Sequence, residues 1–100
     1  MKTVIKNNIS SIKKICKKYN VISLYIFGSV TKDSFNDNSD IDFIVEFGDI
    51  PLLEYGENFF NLKFELEDLL KRKVDLIETD TIENPYFLKE LSETKEQIFG

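Results

Sequence analysis

Three aspartates and a glycine–serine pair are the residues of this chain best suited to chemistry on phosphates. Gly28 and Ser29 stand ten residues before an Asp40-x-Asp42 pair, and Asp75 follows later. Side chains two apart on a strand share a face, and two carboxylates there repel unless a cation lies between them. Mg²⁺ prefers oxygen ligands and shares its shell with substrate phosphates, while glycine and serine suit close phosphate contact. We therefore predict a metal–nucleotide site.

Alternating helix and strand patterns predict an α/β (α+β) fold of order α-β-α-β-α-β-α, with a three-stranded mixed sheet packed by helices. Asn20 should close the first helix, and Asn84 with Pro85 is typical of an N-cap followed by a first-turn proline. Residues 79–83 are predicted as a connection. The predicted helices cover about residues 3–19, 52–70 and 85–99, a short helix follows Ser29, and the strands cover about 21–27, 40–47 and 73–78.

This order of elements should bring the candidate residues to one edge of the sheet. A helical crossover joins strands two and three, which is typical of parallel neighbours, so Asp75 should lie beside Asp40 and Asp42. Strand one should run antiparallel to strand two, which brings Gly28 and Ser29 to the same edge. On strand two the alternate residues should face the core: Ile41, Phe43 and Val45.

The spacing of these residues is similar to that of a known family. Gly-Ser, ten residues, Asp-x-Asp and a later Asp resemble the signature of the minimal nucleotidyltransferases in the DNA polymerase β superfamily. The chain is also similar to small prokaryotic antitoxins that act beside a HEPN-domain ribonuclease toxin. The likeness extends through residues 62–76 and into Asn84-Pro85-Tyr86, and it covers roughly the whole chain beyond the first helix.

The resemblance implies an antitoxin that transfers AMP from ATP to a hydroxyl of its cognate HEPN toxin, a tyrosine in the family, and so neutralises the toxin. It also implies two Mg²⁺ ions. By the same likeness, the two aspartates of the pair bind metal, the third aspartate binds metal and activates the attacking hydroxyl, and the glycine–serine pair holds the triphosphate. These roles carry over to Asp40, Asp42, Asp75, Gly28 and Ser29.

The segment after the glycine–serine pair departs from the family pattern. Many members continue Gly-Ser-x-Ala-Arg-Gly, whereas this chain has Lys32 and Asp33 at the last two positions. Lys32 keeps a positive charge for nucleotide binding but lacks the bidentate fork of arginine. Asp33 adds a negative charge near the expected triphosphate.

Length and composition set limits on the class of protein. One hundred residues predict a single domain over residues 1–100. The chain has no apolar run of transmembrane length and no signal-peptide pattern, so we expect a cytoplasmic protein without membrane contact. It has no histidine, which excludes Cys–His and Ser–His nucleophiles, and Cys16 is predicted to be a small core residue.

Lysines are concentrated near the amino terminus. Residues 1–32 carry seven lysines and no acidic residue, whereas residues 33–100 carry 18 acidic and six basic residues. A solvated helix face is the favoured interpretation, because no aromatic residues are interleaved to stack on bases. Nucleic acid is accordingly not expected as a direct substrate, although a basic strip that contacts nucleic acid or an acidic partner stays open. The helical lysines are Lys2, Lys6, Lys13, Lys14, Lys17 and Lys18.

The 52–70 helix has more apolar surface than one core face needs. Its second stripe contains Leu53, Phe60 and Phe64, roughly 150° from the main one. Two interpretations stay open: another segment or a homo-oligomer partner covers this stripe, or it docks a protein partner. The main stripe is Leu52, Tyr55, Phe59, Leu62, Leu66, Leu69 and Leu70.

Chain length also bears on the acceptor. With no second domain expected, the acceptor should be small or be delivered by a partner macromolecule. Two alternatives to the toxin-modifying enzyme therefore stay open. One is a stoichiometric antitoxin that binds without turnover, and the other is a free nucleotidyltransferase for a small acceptor.

Overall fold

The computed structural model of the chain describes residues 2–79 and 82–100. The predicted connection 79–83 includes residues 80 and 81, which lie outside the described residues. The described part contains helices α1 (Thr3–Lys6), α2 (Ile9–Lys18), α3 (Leu52–Leu70) and α4 (Pro85–Thr94), a 3-10 turn (Gly28–Thr31), and strands β1 (Val21–Phe27), β2 (Ile41–Phe47), β3 (Val74–Glu78) and β4 (Glu96–Phe99).

The strands form one mixed sheet of order β3-β2-β1-β4. Strand β2 runs antiparallel to β1 and parallel to β3, as the sequence predicted, and α3 supplies the crossover between the parallel pair. The end of β1 and the starts of β2 and β3 therefore lie at one edge. In register, Phe27 is opposite Asp42, and Asp42 is opposite Asp75.

The carboxy-terminal segment differs from the prediction. The last helix was expected to reach about Phe99, but it ends at Thr94, and β4 then pairs antiparallel with β1. The fold class is confirmed, whereas the predicted strand count was wrong: the sheet has four strands. Strand β1 would otherwise expose a free hydrogen-bonding edge, and pairing with β4 satisfies it while burying Ile98.

The first helix also differs, because the predicted single helix over 3–19 is two helices. The break falls at Asn7 and Asn8, where Asn8 has φ −114° and ψ 9°. Its side-chain Nδ2 donates to the Val4 carbonyl oxygen at 2.7 Å. Such local side-chain bonds compete with the helix. Asn20 ends this region with φ 59°, as expected.

The two faces of the sheet are covered differently. Helices α1, α2 and α3 contribute to the large core on one face, where Ile41, Phe43 and Val45 are buried as predicted. On the other face, Leu91 of α4 packs with Phe27 and Ile44 in a smaller cluster. Asp42 and Asp75 share this second face, since their strand positions alternate with those of the main core.

Cys16 is buried in the main core, as predicted. Burial raises the pKa of its thiol to about 12, so the group stays protonated and acts as a small apolar residue.

Helix α3 has the predicted bounds, and Leu62, Leu66 and Leu70 are buried along it. Leu52 was assigned to the same stripe but is 88% exposed at the helix start. The second stripe is also uncovered, with Leu53 at 95%, Phe60 at 54% and Phe64 at 58% exposure. The Phe60 and Phe64 rings stack with centroids 6.3 Å apart. Within the described residues, therefore, no loop or terminal segment buries this stripe.

No helix in the part of the chain that the structure describes is both long and apolar enough to cross a membrane. The lysines of α2 are exposed, and Lys18 forms an ion pair with Glu65 of α3 at 3.2 Å.

Candidate active site

The turn that follows β1 brings the backbone unusually close to a carboxylate. Gly28 has φ 73°, a left-handed conformation that favours glycine. A Cβ at this position would lie 2.6 Å from Asp42 Oδ2, well inside contact distance. The Thr31 hydroxyl donates to the Gly28 carbonyl oxygen at 2.6 Å and stabilises the turn. The left-handed backbone angle therefore favours glycine here, and a side chain would force the Asp42 carboxylate to move.

Asp42 and Asp75 lie side by side on the two parallel strands. Asp42 is half-buried and Asp75 is exposed at the start of β3. Burial, then the charge of Asp75 and a hydrogen bond with it, and last the charge of Asp40 together raise the pKa of Asp42 to about 6. This is the signature of acidic groups held together in spite of their repulsion.

Asp40 precedes β2 and is fixed through its backbone. The Ser29 hydroxyl donates to the Asp40 carbonyl oxygen at 3.3 Å. The next residue, Ile41, donates its N–H to the Lys73 carbonyl oxygen at 3.1 Å. Both hydrogen bonds therefore hold the peptide group that joins Asp40 to Ile41, on the carboxy-terminal side of the Asp40 Cα.

A residue that sequence reasoning did not assign also supports this region. Arg72, in the turn between α3 and β3, donates from Nη1 to the carbonyl oxygens of Asn36 and Ser39 at 3.0 and 2.8 Å. Its guanidinium carbon lies 4.6 Å from the centroid of the Phe35 ring. The feature of the sequence that could have pointed to this residue is that Arg72 is the one arginine among 13 basic residues.

The carboxylates suit a hard divalent cation. Two neighbouring aspartates whose repulsion raises a pKa are the kind of oxygen ligands that Mg²⁺ prefers. Among residues 2–79 and 82–100, no group of three or more His, Cys, Asp or Glu side chains is arranged to hold a metal ion by itself. Mg²⁺ usually retains waters or substrate phosphates as further ligands, so the Asp42–Asp75 pair fits such an ion when a nucleotide supplies the rest.

Of the predicted site residues, Gly28, Ser29, Asp40, Asp42 and Asp75 come together at one edge of the sheet. Lys32 lies just after the turn, with an extended backbone and an exposed side chain. The fully exposed carboxylate of its neighbour Asp33 lies 3.9 Å from the Lys2 amine. Part of the negative charge that Asp33 adds is therefore offset by Lys2.

Comparison with known proteins finds a matching family and similar relatives for this chain. The family model described as polymerase beta, nucleotidyltransferase matches residues 10–100. A protein of Methanocaldococcus jannaschii named "Putative protein adenylyltransferase" is 45% identical over 96 residues, covering 93% of this chain and 95% of the relative.

Two solved structures share the fold. A structure described as a putative minimal nucleotidyltransferase has a TM-score of 0.75 at 22% identity and covers 92% of this chain and 90% of its own. A chain from a complex of the tri-AMPylated HEPN toxin of Shewanella oneidensis with an MNT antitoxin has a TM-score of 0.65 at 20% identity, covering 95% of this chain and 71% of its own. At these identities the likeness is one of fold alone.

Gly28→Ala should disrupt the site and destabilise the fold. The left-handed backbone costs alanine about 1–2 kcal/mol, and the new Cβ would displace the Asp42 carboxylate. We expect a loss of that size in urea unfolding and weaker ATP–Mg²⁺ binding by calorimetry. The control is Gly56→Ala in α3, whose Cβ would meet nothing within 4 Å. That change should stabilise the protein by about 0.5–1 kcal/mol and leave binding unchanged. Wild-type binding and stability in Gly28→Ala would contradict the assigned role of Gly28.

Asp42→Asn should change how stability depends on pH in metal-free protein. In the folded protein the pKa of Asp42 is about 6, above its ordinary value of 3.8. Between about pH 4 and about pH 6, therefore, the carboxyl of Asp42 is mainly protonated in the folded protein and mainly ionised in the unfolded chain. Wild-type stability should therefore fall as pH rises from about 4 to about 6 and then level off. Asp42→Asn lacks this loss, and above pH 6 it should be more stable by on the order of 1 kcal/mol, allowing for solvent screening of a half-exposed group. Urea unfolding in chelator at several pH values tests this, and parallel wild-type and variant profiles would contradict it.

Proposed function

The chain belongs to the polymerase β nucleotidyltransferase family, and we propose that it transfers AMP from ATP, in a Mg²⁺-dependent reaction, to a tyrosine hydroxyl of a HEPN-domain toxin and so neutralises that toxin. It is a nucleotidyltransferase of the protein adenylyltransferase type. The observation that carries the proposal is the Asp42–Asp75 pair with the Gly28 turn packed directly against it.

The choice of a protein acceptor is supported by the relatives and by the surface of α3. The relative at 45% identity is named for protein adenylyl transfer, and one structure of the same fold contains an AMPylated HEPN toxin with an MNT antitoxin. On this chain, Leu53, Phe60 and Phe64 form an uncovered apolar stripe. Such a stripe suits the capture of a folded partner better than that of a small polar acceptor.

The aspartates would hold the Mg²⁺ ions, with Asp42 and Asp75 as the adjacent pair and Asp40 beside them. When bound, the metal supplies positive charge that stabilises the charge developing on the transferred phosphate. With a pKa of about 6, Asp42 is still mainly ionised at pH 7 and available as a ligand.

The remaining residues bind the nucleotide and move the proton. Gly28 lets the triphosphate approach the backbone, and Lys32 can turn its exposed amine toward phosphate oxygens. Because the Ser29 hydroxyl already donates to the Asp40 carbonyl oxygen, we assign the phosphate contact of Ser29 to its N–H. The acceptor hydroxyl attacks the α-phosphorus, the bond to the β-phosphate oxygen breaks, and pyrophosphate leaves. Asp75, which is exposed, takes the hydroxyl proton and passes it to water.

The test is intact-mass measurement of the protein encoded by the neighbouring gene, co-expressed with this chain. We expect the partner to gain one or more AMP units with wild-type protein, ATP and Mg²⁺. Asp42→Asn should remain folded and lose transfer by several orders of magnitude, since it removes a metal ligand. Asp49→Asn, an acid-to-amide change on an exposed residue that follows β2, is the control and should transfer normally.

Each alternative has its own result in that experiment. Neutralisation of the toxin without a mass change would favour a stoichiometric antitoxin. Consumption of ATP with AMP found only on a small molecule would favour a free transferase. Transfer by well-folded Asp42→Asn at the wild-type rate would contradict the assigned site.

The α3 stripe should be separable from catalysis. Phe60→Asp with Phe64→Asp removes two side chains that are more than half exposed, so the melting temperature should change little. If a partner covers the remaining surface, affinity should fall by about 2–3 kcal/mol, roughly 30- to 150-fold. Titration calorimetry with the partner measures this, and ATP–Mg²⁺ binding should persist.

The control for the stripe is Ile22→Asp, which alters another apolar side chain, 52% exposed on β1. It should not weaken partner binding. A large fall in melting temperature for the double variant would assign Phe60 and Phe64 to the core instead. The other interpretation is that a second copy of this chain covers the stripe. In that case light scattering should show a homo-oligomer for the wild-type protein and its dissociation in the double variant.

A further inference from the structure

We propose that Arg72 is a positioning residue that holds residues 36–39 in place so that Asp40 is presented correctly at the active site. The proposal rests on the function proposed above, since it concerns the same site. It assigns Arg72 no contact with the nucleotide or the reacting atoms.

One nitrogen of Arg72 joins the two ends of a tight loop. Nη1 donates to the Asn36 carbonyl oxygen at 3.0 Å and to the Ser39 carbonyl oxygen at 2.8 Å. The same loop is closed internally by the Ser39 N–H, which donates to the Asn36 carbonyl oxygen at 3.0 Å. The Ser39 hydroxyl in turn accepts from the Asn36 N–H at 3.1 Å. The guanidinium thus binds the loop as a folded unit.

The aromatic contact adds a second point of attachment. The guanidinium carbon lies 4.6 Å from the centroid of Phe35, and Phe35 packs against the main core. The other residues of the loop, from Ser34 to Asn38, are polar and exposed. Without Arg72, the loop would keep its internal bonds and Phe35 but would lose its connection to the start of β3.

The consequence for Asp40 follows from hydrogen bonds to the two peptide groups that flank its Cα. The carbonyl oxygen of Ser39 accepts from Arg72, that of Asp40 accepts from Ser29, and the N–H of Ile41 donates to the Lys73 carbonyl oxygen. Two of these anchors are the neighbouring residues Arg72 and Lys73, and the third is Ser29 after β1. Together they fix the peptide groups on both sides of the Asp40 Cα, and hence the direction in which its side chain leaves the backbone.

The residue type is also informative. Twelve of the 13 basic residues are lysines, and arginine occurs only here. A planar guanidinium can donate to carbonyl oxygens at its edge while its face stacks on an aromatic ring, which an ammonium cannot do. Arg72 Nε is buried and has no hydrogen-bond partner among the described residues. Lysine could still donate to these carbonyl oxygens, but it would lose the stacking on Phe35 and the rigid placement of the donors.

The experiment compares Arg72→Lys with Lys71→Met, which removes a positive charge from an exposed residue of the same turn. Three properties are measured: kcat and KM for ATP, Mn²⁺ affinity by electron paramagnetic resonance, and amide hydrogen exchange of residues 36–41.

For Arg72→Lys we expect kcat to fall by about 10-fold or more with KM changed by less than about 3-fold, because a small displacement of a reacting group is costly. Mn²⁺ binding should weaken, and exchange at Ser39 and Ile41 should accelerate by about 10-fold. Lys71→Met should match wild type in all three.

The outcomes separate this proposal from the proposed function. Wild-type exchange rates and Mn²⁺ affinity in Arg72→Lys would overturn the positioning role. A kcat that falls only in proportion to the folded fraction, judged from the melting curve, would also overturn it and leave Arg72 a purely structural residue. If wild-type protein transfers no AMP, the proposed function fails, while the exchange and Mn²⁺ measurements still decide the role of Arg72.

Discussion

The close approach of the Gly28 backbone to the Asp42 carboxylate is the constraint on which the rest of the site depends. A Cβ at Gly28 would be 2.6 Å from Asp42 Oδ2, so the Asp42 carboxylate can occupy this position only because residue 28 has no side chain. The antiparallel register that places Phe27 opposite Asp42 sets this contact, and the parallel register places Asp75 on the other side. A shift of one residue in either pairing would turn a carboxylate toward the core.

The apolar core and the acidic residues lie on opposite faces of the sheet, which explains how such a small protein holds acidic groups together. The main core lies on one face, under α1, α2 and α3, and supplies most of the apolar burial. The other face has only a small cluster around Leu91, which leaves room for Asp42 near the start of β2. Stability and chemistry are thus placed on opposite sides of the same strands.

Much of this arrangement could be predicted, because its signals are local. Strand β1 and helix α3 have the predicted bounds, and Pro51 before α3 and left-handed Lys71 after it explain why the helix begins and ends there. Strand β4 could not be predicted, since the apolar side chain of Ile98 is equally suited to a helix or a short strand. Only the unpaired edge of β1, a tertiary feature, decides between them.

The candidate site likewise has features that the sequence predicts and features that it does not. The convergence of the glycine turn with the two strand aspartates follows from topology, whereas the role proposed for Arg72 depends on carbonyl oxygens 33 and 36 residues away in the sequence. Backbone acceptors are the same for every residue type, so no pattern of side chains could indicate them.

The pairing of β4 with β1 has a consequence for how the protein can be handled. Four residues, Glu96–Phe99, cover one edge of an apolar strand that lies inside the sheet. Proteolytic trimming or a truncated clone that removed them would leave β1 as a bare template for another strand. Two trimmed molecules could then join edge to edge, and this would produce aggregates or an artificial dimer from a chain whose candidate active-site residues were untouched.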